Sequence, residues 1–455
     1  MSQADSRRAL MPLTLPQLDF WEEFTFHPDE PIATVAHCLD IDGVTDEPAL
    51  VAAITQTIAE SDVLCVRFHV EESRETPLQS CDPQLRPILQ QIDLTGIADP
   101  LQEARARMEA DVAAPLDLRG AGLAATWLLH LGKQRYLWYI RAHHIVLDGY
   151  GFTLIEQRCG QLYSQRLTGS DPGPAFHPFA SFIAEEEAYR ASRRHESDRA
   201  YWRDEFAAHA PLPILHRGDK QAGEAPHEVY GVLPADVSAG LRRISQETGI
   251  GWPDLLVLLS GLYLALHLPR QQIDGRDVLA FWLPFMSRWG SLAAHTPAMV
   301  VNILPFHLSF GLQESLEDVL RENAPTLRMQ RRHGRYRIEQ IAMDKGMPAG
   351  SRYFFSPLIN VLPFSAPSFH GCKVTREIMG SGQGEGIDLT FRGEDDGSEL
   401  SFAMSADPAM FAREPFERHR DELPAFLARA LAPEALARPV EELLAELRED
   451  ALGLV

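Results

Sequence analysis

The most informative spacing in the chain lies between residues 141 and 150, where two adjacent histidines precede an aspartate and a glycine in the order HHxxxDG. These residues are His143, His144, Asp148 and Gly149. A histidine can accept a proton from an attacking nucleophile near neutral pH, and such help is typically worth about 10²- to 10⁴-fold in rate. The spacing therefore predicts an acyl-transfer site.

The residues before the motif predict the strand that positions it. Residues 135–140 are rich in Tyr, Trp and Ile, which is typical of a buried strand, and the motif follows at the strand's end. Neighbouring strand residues face opposite sides of a sheet, so His143 and His144 cannot both point into one cavity. We therefore expect one histidine to be internal and the other to be available for chemistry.

The residues after the motif predict a helix. Apolar side chains recur at helical spacing beyond Gly149, at Phe152, Ile155, Cys159 and Leu162, so one face of this helix should pack on the core. The unpaired amide donors of its first turn would then lie beside the motif. Their partial positive charge favours a carbonyl oxygen on which negative charge develops.

The motif resembles that of the condensation domains of non-ribosomal peptide synthetases, which have a chloramphenicol acetyltransferase-like fold. The resemblance extends along the whole chain, because further segments look like other motifs of the family in the same order. These segments are residues 13–21, 61–68, 301–305 and 332–341.

A second group of segments is similar to one branch of this family, the stand-alone amide synthases of the vibriobactin-assembly type. Such an enzyme joins a carrier-bound 2,3-dihydroxybenzoyl group to a free polyamine. The segments that carry this finer resemblance are residues 250–254, 282–290, 356–364 and 385–393.

The resemblance implies an α/β (α+β) fold of two chloramphenicol acetyltransferase-like lobes, arranged as a V-shaped pseudo-dimer with a tunnel between them. Residues 169–174 and 209–227 are turn-rich, Pro- and Gly-bearing breaks, so we place the lobe boundary between them. We expect an N-terminal lobe over residues 1–180, which carries HHxxxDG, and a C-terminal lobe over residues 181–455.

The family's pattern implies roles for the polar residues. His144 is the candidate that accepts a proton from the amine or orients it by hydrogen bonding, whereas His143 is internal and structural. Asn360 would come from the other lobe to hold the amine or the oxyanion.

Asp148 has two candidate roles. It could act as a base, but the family's pattern makes it a buried brace that ion-pairs with an arginine of the second motif, which Arg67 fits. Gly149 is expected to let the backbone turn tightly into the helix and to leave an amide near the thioester carbonyl.

The HHxxxDG motif also allows functions other than amide formation. A metal site at HHxxxD is disfavoured, because the adjacent histidines diverge and the second carboxylate of an HExxH-like set is missing. A non-catalytic module that binds a carrier protein, an ester-forming enzyme and a coenzyme A-dependent acyltransferase remain alternatives. The intact motif favours catalysis over the binding module.

The charge of the chain is strongly acidic, with 64 Asp and Glu against 42 Lys and Arg and a formal net charge of −22. Nucleic-acid binding is disfavoured, since phosphate contacts require clustered basic residues. An acidic surface aids solubility, and its field could also concentrate a polycationic substrate near the cleft.

Cofactor and carrier motifs are missing from the sequence. It has no Gly-rich nucleotide loop, no adenylation-type segment and no carrier serine motif of the LGGxS kind. No intrinsic cofactor is expected, and a separate aryl carrier protein must deliver the donor as a phosphopantetheine thioester. The acceptor would be a soluble polyamine such as norspermidine or spermidine.

The remaining features favour a cytoplasmic protein. Residues 1–8 are polar and lack the apolar core of a signal peptide, and the five cysteines form no CxxC pair. Residues 255–268 form the longest apolar run, which is too short to span a bilayer and predicts a buried helix.

Overall fold

The computed structural model describes residues 9–71, 73–120, 122–219, 225–381 and 385–445. The polar segment 1–8, on which the expectation of no signal peptide rests, lies outside them. The described residues form twelve helices and seventeen strands.

The helices are α1 (Leu15–Phe26), α2 (Glu47–Glu60), α3 (Pro100–Val112), α4 (Gly149–Thr168), α5 (Phe179–Arg190), α6 (Arg193–Ala208), α7 (Ala235–Thr248), α8 (Trp252–His267), α9 (Leu316–His333), α10 (Ile338–Asp344), α11 (Arg413–Glu417) and α12 (His419–Ala430). The strands are β1 (Met11–Pro12), β2 (Thr34–Asp42), β3 (Val66–His69), β4 (Leu78–Cys81), β5 (Gln90–Asp93), β6 (Ala124–Gly132), β7 (Arg135–His143), β8 (Ile214–His216), β9 (His227–Val232), β10 (Gln271–Ile273), β11 (Arg276–Phe285), β12 (Asn302–Phe310), β13 (Ser351–Tyr353), β14 (Leu358–Pro363), β15 (Lys373–Ser381), β16 (Ile387–Gly393) and β17 (Ser401–Ala406).

The first sheet carries the motif at the end of its central strand. Its order is β15-β2-β7-β6-β5, and β2 runs antiparallel to β7 with Thr34 opposite His143. After its exposed first residue, β7 is buried along its whole length, because α2 and α4 cover one face of the sheet and α3 covers the other. The predicted strand and the predicted helix after the motif are both confirmed.

The second sheet has the order β10-β11-β14-β16-β17-β9, with β12 paired to β11. Strand β14 is parallel to both β11 and β16, and the apolar helix α8 packs on it within the core. The predicted buried helix over residues 255–268 is confirmed, since the residues of α8 from Asp254 to Ala265 are all buried.

The described chain has no single helix that is both long and apolar enough to cross a membrane. Helices α7 and α8 pass that test of length and composition only as a pair, and the chain bends by 108° between them.

One strand of the first sheet, the exchanged strand β15, comes from the second half of the sequence. Strand β15 lies in the second half of the sequence, yet it pairs antiparallel with β2 and completes the first sheet. Ala298, Val300 and Phe369 from the second half also pack into the first hydrophobic core. The division into lobes at residues 180 and 181 stays a prediction. The core of the first sheet uses residues from both sides of this boundary, whereas the described core residues of the second sheet all lie beyond it.

The first helix is held to the second half of the chain by charge. Buried Arg217 forms ion pairs with Asp19 and Glu23 of α1, and Arg352 lies 3.3 Å from Glu23 through its Nε atom. Glu22 accepts a hydrogen bond of 3.1 Å from the backbone of Gly350. The acidic face of α1 therefore docks on two arginines that are about 200 and 330 residues further along the chain.

A buried ion cluster holds the exchanged strand. Glu156 of α4 accepts hydrogen bonds of 2.7 Å from His37 Nδ1 on β2 and from Arg376 Nε on β15. Burial alone would raise the pKa of Glu156, but His37 and Arg376 hold it below its ordinary value. Arg376 also donates to the carbonyl of Phe364 at 2.9 Å, so it ties β15 to the chain just after β14.

Substitution of Glu156 by Gln should lower the free energy of unfolding by about 3–5 kcal/mol, because it leaves Arg376 buried without a charged partner. Urea unfolding measures this loss. The control is Arg105→Ala, which removes an exposed ion pair with Glu377 on the same strand and should cost no more than about 1 kcal/mol. Equal losses in the two variants would show that the cluster does not hold the strand.

Candidate active site

His143, the last residue of β7, lies inside the protein. Its side chain is buried and its Nδ1 accepts a hydrogen bond of 3.0 Å from the backbone of Ile145. Burial lowers the pKa of His143 to about 3, and the neighbouring His144 adds to this shift. A neutral His143 thus fixes the turn that follows the strand.

His144 begins this turn and is the more accessible of the two histidines. Its ring stacks on Phe20 of α1 with 5.0 Å between centroids, and its backbone donates to the carbonyl of Ala33 at 2.7 Å. Burial lowers the pKa of His144, although the Asp148 charge opposes the shift. The imidazole is therefore neutral at pH 7, which is the form that can accept a proton.

Asp148 caps helix α4 and is fully engaged. Its Oδ1 accepts from the backbone of Gly151 at 2.8 Å and from Arg288 Nη2 at 2.7 Å. Its Oδ2 accepts from the same Nη2 at 2.9 Å and from the backbones of Val300 and Val301 at 2.9 and 3.0 Å. A buried carboxylate with five such contacts braces the site, and it has little capacity left to act as a base.

The predicted partner of Asp148 is wrong. Arg67 forms its ion pair with Asp82 at 3.0 Å, and its side chain is 38% exposed. The true partner, Arg288, is buried and lies 140 residues from Asp148 in sequence. Arg288 lies in the segment 282–290, which carries the finer resemblance, so the sequence marked this region as informative. Two residues 140 positions apart form no recognisable spacing pattern, however, so the sequence did not reveal that Arg288 pairs with Asp148.

Arg288 also binds the chain around it. It donates to the backbone carbonyls of Thr296 and Ala298 at 3.0 and 2.9 Å, and its guanidinium lies 5.0 Å from the ring centroid of Tyr150. One side chain therefore joins the start of α4 to residues 288–301 of the second half.

Gly149 is the exposed first residue of α4, and its backbone does not take a positive φ. A Cβ atom at Gly149 would meet nothing within 4 Å, so the expected tight turn is not what requires glycine there. The close approach occurs at Gly151, where a Cβ would lie 2.6 Å from Leu147 and 3.2 Å from the carbonyl of Ala298. Gly149 instead leaves open space beside the first amides of the helix.

Asn360 lies on β14, in the second sheet, opposite Thr390 of β16. The Asn360 side chain is partly buried, and its side-chain amide makes no hydrogen bond to another described residue. Four residues later, the ring of Phe364 contacts that of Tyr150 edge-on with 5.4 Å between centroids. The structure thus brings the end of β14 against the start of α4, whereas Arg67 lies apart from the motif.

Two sheets that meet at HHxxxDG, with a neutral histidine beside an open helix N-terminus, are the arrangement expected of an acyltransferase. The sequence matches the condensation domain family over residues 8–452. The chain therefore belongs to the condensation domain family, whose members in non-ribosomal peptide synthetases form amide bonds by acyl transfer.

Two solved structures illustrate the likeness. The crystal structure of VibH, an NRPS condensation enzyme, is 33% identical, has a TM-score of 0.82, and matches over 94% of this chain and 100% of its own. The first condensation domain of the calcium-dependent antibiotic synthetase is 28% identical with a TM-score of 0.80, over 96% and 99% of the two chains. The predicted condensation-type α/β fold is confirmed.

Curated relatives are much longer proteins. The dimodular nonribosomal peptide synthase of Bacillus subtilis (strain 168) is 29% identical over 453 residues, which are 99% of this chain and 19% of that protein. Enterobactin synthase component F of Escherichia coli (strain K12) is 28% identical over 89% of this chain and 31% of its own length. The chain thus spans less than a third of either relative.

Removal of either member of the Asp148–Arg288 pair should be costly. Asp148→Ala and Arg288→Ala should each lower the free energy of unfolding by about 3–5 kcal/mol and reduce soluble yield, because each leaves a buried charge unpaired. Arg67→Ala should cost no more than about 1 kcal/mol. Denaturant unfolding measures all three, and a normally stable but inactive Asp148→Ala protein would instead indicate direct catalysis.

Acid should destabilise the fold through His143. Its folded pKa of about 3 lies below the ordinary value of 6.5, so the unfolded chain binds the proton more readily. This contribution to stability is full above about pH 6.5 and is lost as the pH falls toward 3, by about 1.4 kcal/mol per pH unit.

His143→Asn keeps an acceptor for Ile145 but cannot titrate. Its free energy of unfolding, measured in urea between pH 6 and pH 4, should fall less steeply than that of the wild type by about 1.4 kcal/mol per unit. Identical slopes would contradict the assignment of His143 as a buried neutral group.

Proposed function

We propose that this chain acts as a free-standing condensation enzyme that joins a carrier-bound aryl acid to a soluble polyamine. The observation that carries the proposal is a neutral His144 beside the open, glycine-started N-terminus of α4. The likeness to VibH over the whole of that chain supports it. The segments that resemble polyamine-using amide synthases also support the proposal. One of them, residues 282–290, contains Arg288.

The donor is proposed to be a 2,3-dihydroxybenzoyl thioester on the phosphopantetheine of a separate aryl carrier protein. Relatives named for enterobactin and vanchrobactin synthesis support a place in catecholate siderophore assembly. The odd number of cysteines without CxxC spacing fits a cytoplasmic location. Donor and acceptor would enter between the two lobes from opposite sides.

The acceptor sets the chemical problem. An alkyl amine has a pKa near 10, so only about one part in a thousand is the neutral nucleophile at pH 7. His144 would receive the amine proton as nitrogen attacks the thioester carbon, or orient the neutral amine by hydrogen bonding. Asp148 is left out of proton transfer, because its oxygens are already engaged.

The attack produces a tetrahedral oxyanion. We propose that amides at the start of α4 stabilise this charge, and Asn360 is our candidate for a further donor from the second sheet. Collapse of the intermediate forms the amide bond, breaks the carbon–sulfur bond and releases the phosphopantetheine thiol, which takes up the proton. Orientation alone can supply an effective molarity of about 10⁵ M, so part of the rate would survive without His144.

The net charge of −22 favours a polycationic acceptor over a neutral one. A negative field raises the local concentration of cations and speeds their association. This is why a polyamine is preferred here over an alcohol or a second carrier-bound acyl group, both of which the same motif can serve.

The test is mass spectrometry of products after incubation with 2,3-dihydroxybenzoyl carrier protein and a panel of spermidine, norspermidine, diamines, alcohols and aminoacyl carriers. We expect an enzyme-dependent aryl amide of a polyamine. His144→Ala should lower kcat by about 10²- to 10⁴-fold, or less if positioning dominates, while its Tm stays unchanged. His370→Ala, at an exposed site, is the matched control and should retain full activity.

Other products would select the other functions. An ester would indicate an alcohol acceptor, and turnover with an acyl-coenzyme A would remove the need for a carrier. Carrier binding without any product from the panel would support a non-catalytic binding module and would contradict the proposed reaction.

A further inference from the structure

Two clusters away from the motif bring two imidazoles and a carboxylate within 4.8 Å of one another. The first consists of Glu205 and His209, at the end of α6, with His307 on β12. The second consists of His267 on α8 with His419 and Glu422 on α12. Two histidines and one carboxylate are a common ligand set for zinc, so each cluster is a candidate metal site.

The ring geometry of the first cluster argues against an ion. The rings of His209 and His307 are stacked 3.6 Å apart with only 11° between their planes. An imidazole binds a metal along its nitrogen lone pair, which lies in the ring plane. Two parallel planes this far apart share no such point, so the rings would have to rotate before both could coordinate.

The second cluster has the opposite geometry. The rings of His267 and His419 are nearly perpendicular, at 85°, with 4.6 Å between centroids. Glu422 Oε2 lies 3.8 Å from His267 Nε2 and 4.0 Å from His419 Nδ1. Ligand atoms around a tetrahedral zinc lie about 3.4 Å apart, so closure requires shifts of only roughly 0.5 Å.

The Tyr263 hydroxyl adjoins the three ligand atoms. The hydroxyl of Tyr263 lies 2.6 Å from His419 Nδ1 and hydrogen-bonds to Glu422. Tyr263 and His267 are four residues apart on α8, and His419 and Glu422 are three apart on α12, so each pair lies on one helix face. The two faces meet, and the two imidazoles and the carboxylate converge beside the Tyr263 hydroxyl.

The cluster also borders a cavity with a volume of about 310 Å³. His267, His419 and Glu422 line it together with apolar side chains such as Leu266 and Phe416. The side chain of His267 is 32% exposed, which leaves a path from solvent to the donors.

One basic side chain competes with an ion for Glu422. Arg418 is the nearby cation, 3.8 Å from Glu422, and its side chain is 56% exposed and can move away.

We propose that His267, His419 and Glu422, with the Tyr263 hydroxyl beside them, form a binding site for a zinc-class divalent ion, which joins the end of α8 to the start of α12. The ligands come from two helices that are about 150 residues apart in sequence. The role is structural, because the site lies at the edge of the core of the second sheet, next to buried Tyr263, and joins two helices that pack on that core. It uses none of the residues assigned to acyl transfer, so its test does not depend on the proposed reaction.

The experiment is calorimetric titration of ZnSO₄ into full-length, chelator-treated and then dialysed protein that carries no histidine tag, at pH 7. We expect one saturable ion per chain, a rise in Tm with zinc, and ligand-field absorption in the visible range when Co²⁺ replaces zinc. His267→Ala and Glu422→Gln should each weaken binding at least tenfold. Both residues are partly exposed, so these variants should keep the Tm of the metal-free protein.

His209→Ala is the matched control, because it removes a histidine from the first cluster at a similarly exposed position. It should leave the affinity for zinc unchanged. Loss of binding in His209→Ala with retention in His267→Ala would place the ion at the first cluster and overturn the proposal. Absence of saturable binding to the wild-type protein would also overturn it.

Discussion

The Asp148–Arg288 ion pair is the interaction on which the site depends. A carboxylate and a guanidinium buried together are stable only when hydrogen bonds compensate for the water that they lose. Backbone amides from both halves of the chain bind the oxygens of Asp148, and carbonyls of the second half accept from the terminal nitrogens of Arg288. The pair therefore fixes the start of α4, the turn before it and the loop over residues 288–301 as one unit. His144 is held beside the helix N-terminus because this unit cannot shift without exposing a charge.

Burial also decides whether the histidines carry a charge. A carboxylate can stay ionised in the interior because an arginine accompanies it, whereas His143 has no anionic partner in the described part of the chain and stays neutral. HHxxxDG is thus a compact arrangement of a strand end, a three-residue turn and a helix cap. The identity of each polar residue follows from whether its charge can be compensated inside the protein.

Local pattern predicted much of this from the sequence. Strand β7, helix α4 and the buried helix α8 follow from periodicities within about 20 residues, and strand alternation requires one of the two adjacent histidines to be internal. The family resemblance implied that this histidine is His143. Contacts between residues far apart in the sequence could not be predicted in this way. Nothing in the spacing distinguishes Arg288 from Arg67 as the partner of Asp148, or Gly151 from Gly149 as the glycine that needs space. The strand exchange and the Tyr263 cluster likewise involve residues that meet only in the folded chain.

The exchanged strand β15 limits how this protein can be cut or recombined. If the chain were split at the predicted lobe boundary, β2 would lose its outer neighbour and present a row of unsatisfied backbone donors and acceptors. Such an open edge is a template for pairing with other chains, so the isolated first half should aggregate. Chimaeras with other condensation domains would therefore have to take β15 from the same parent as β2, which makes the smallest exchangeable unit discontinuous in sequence.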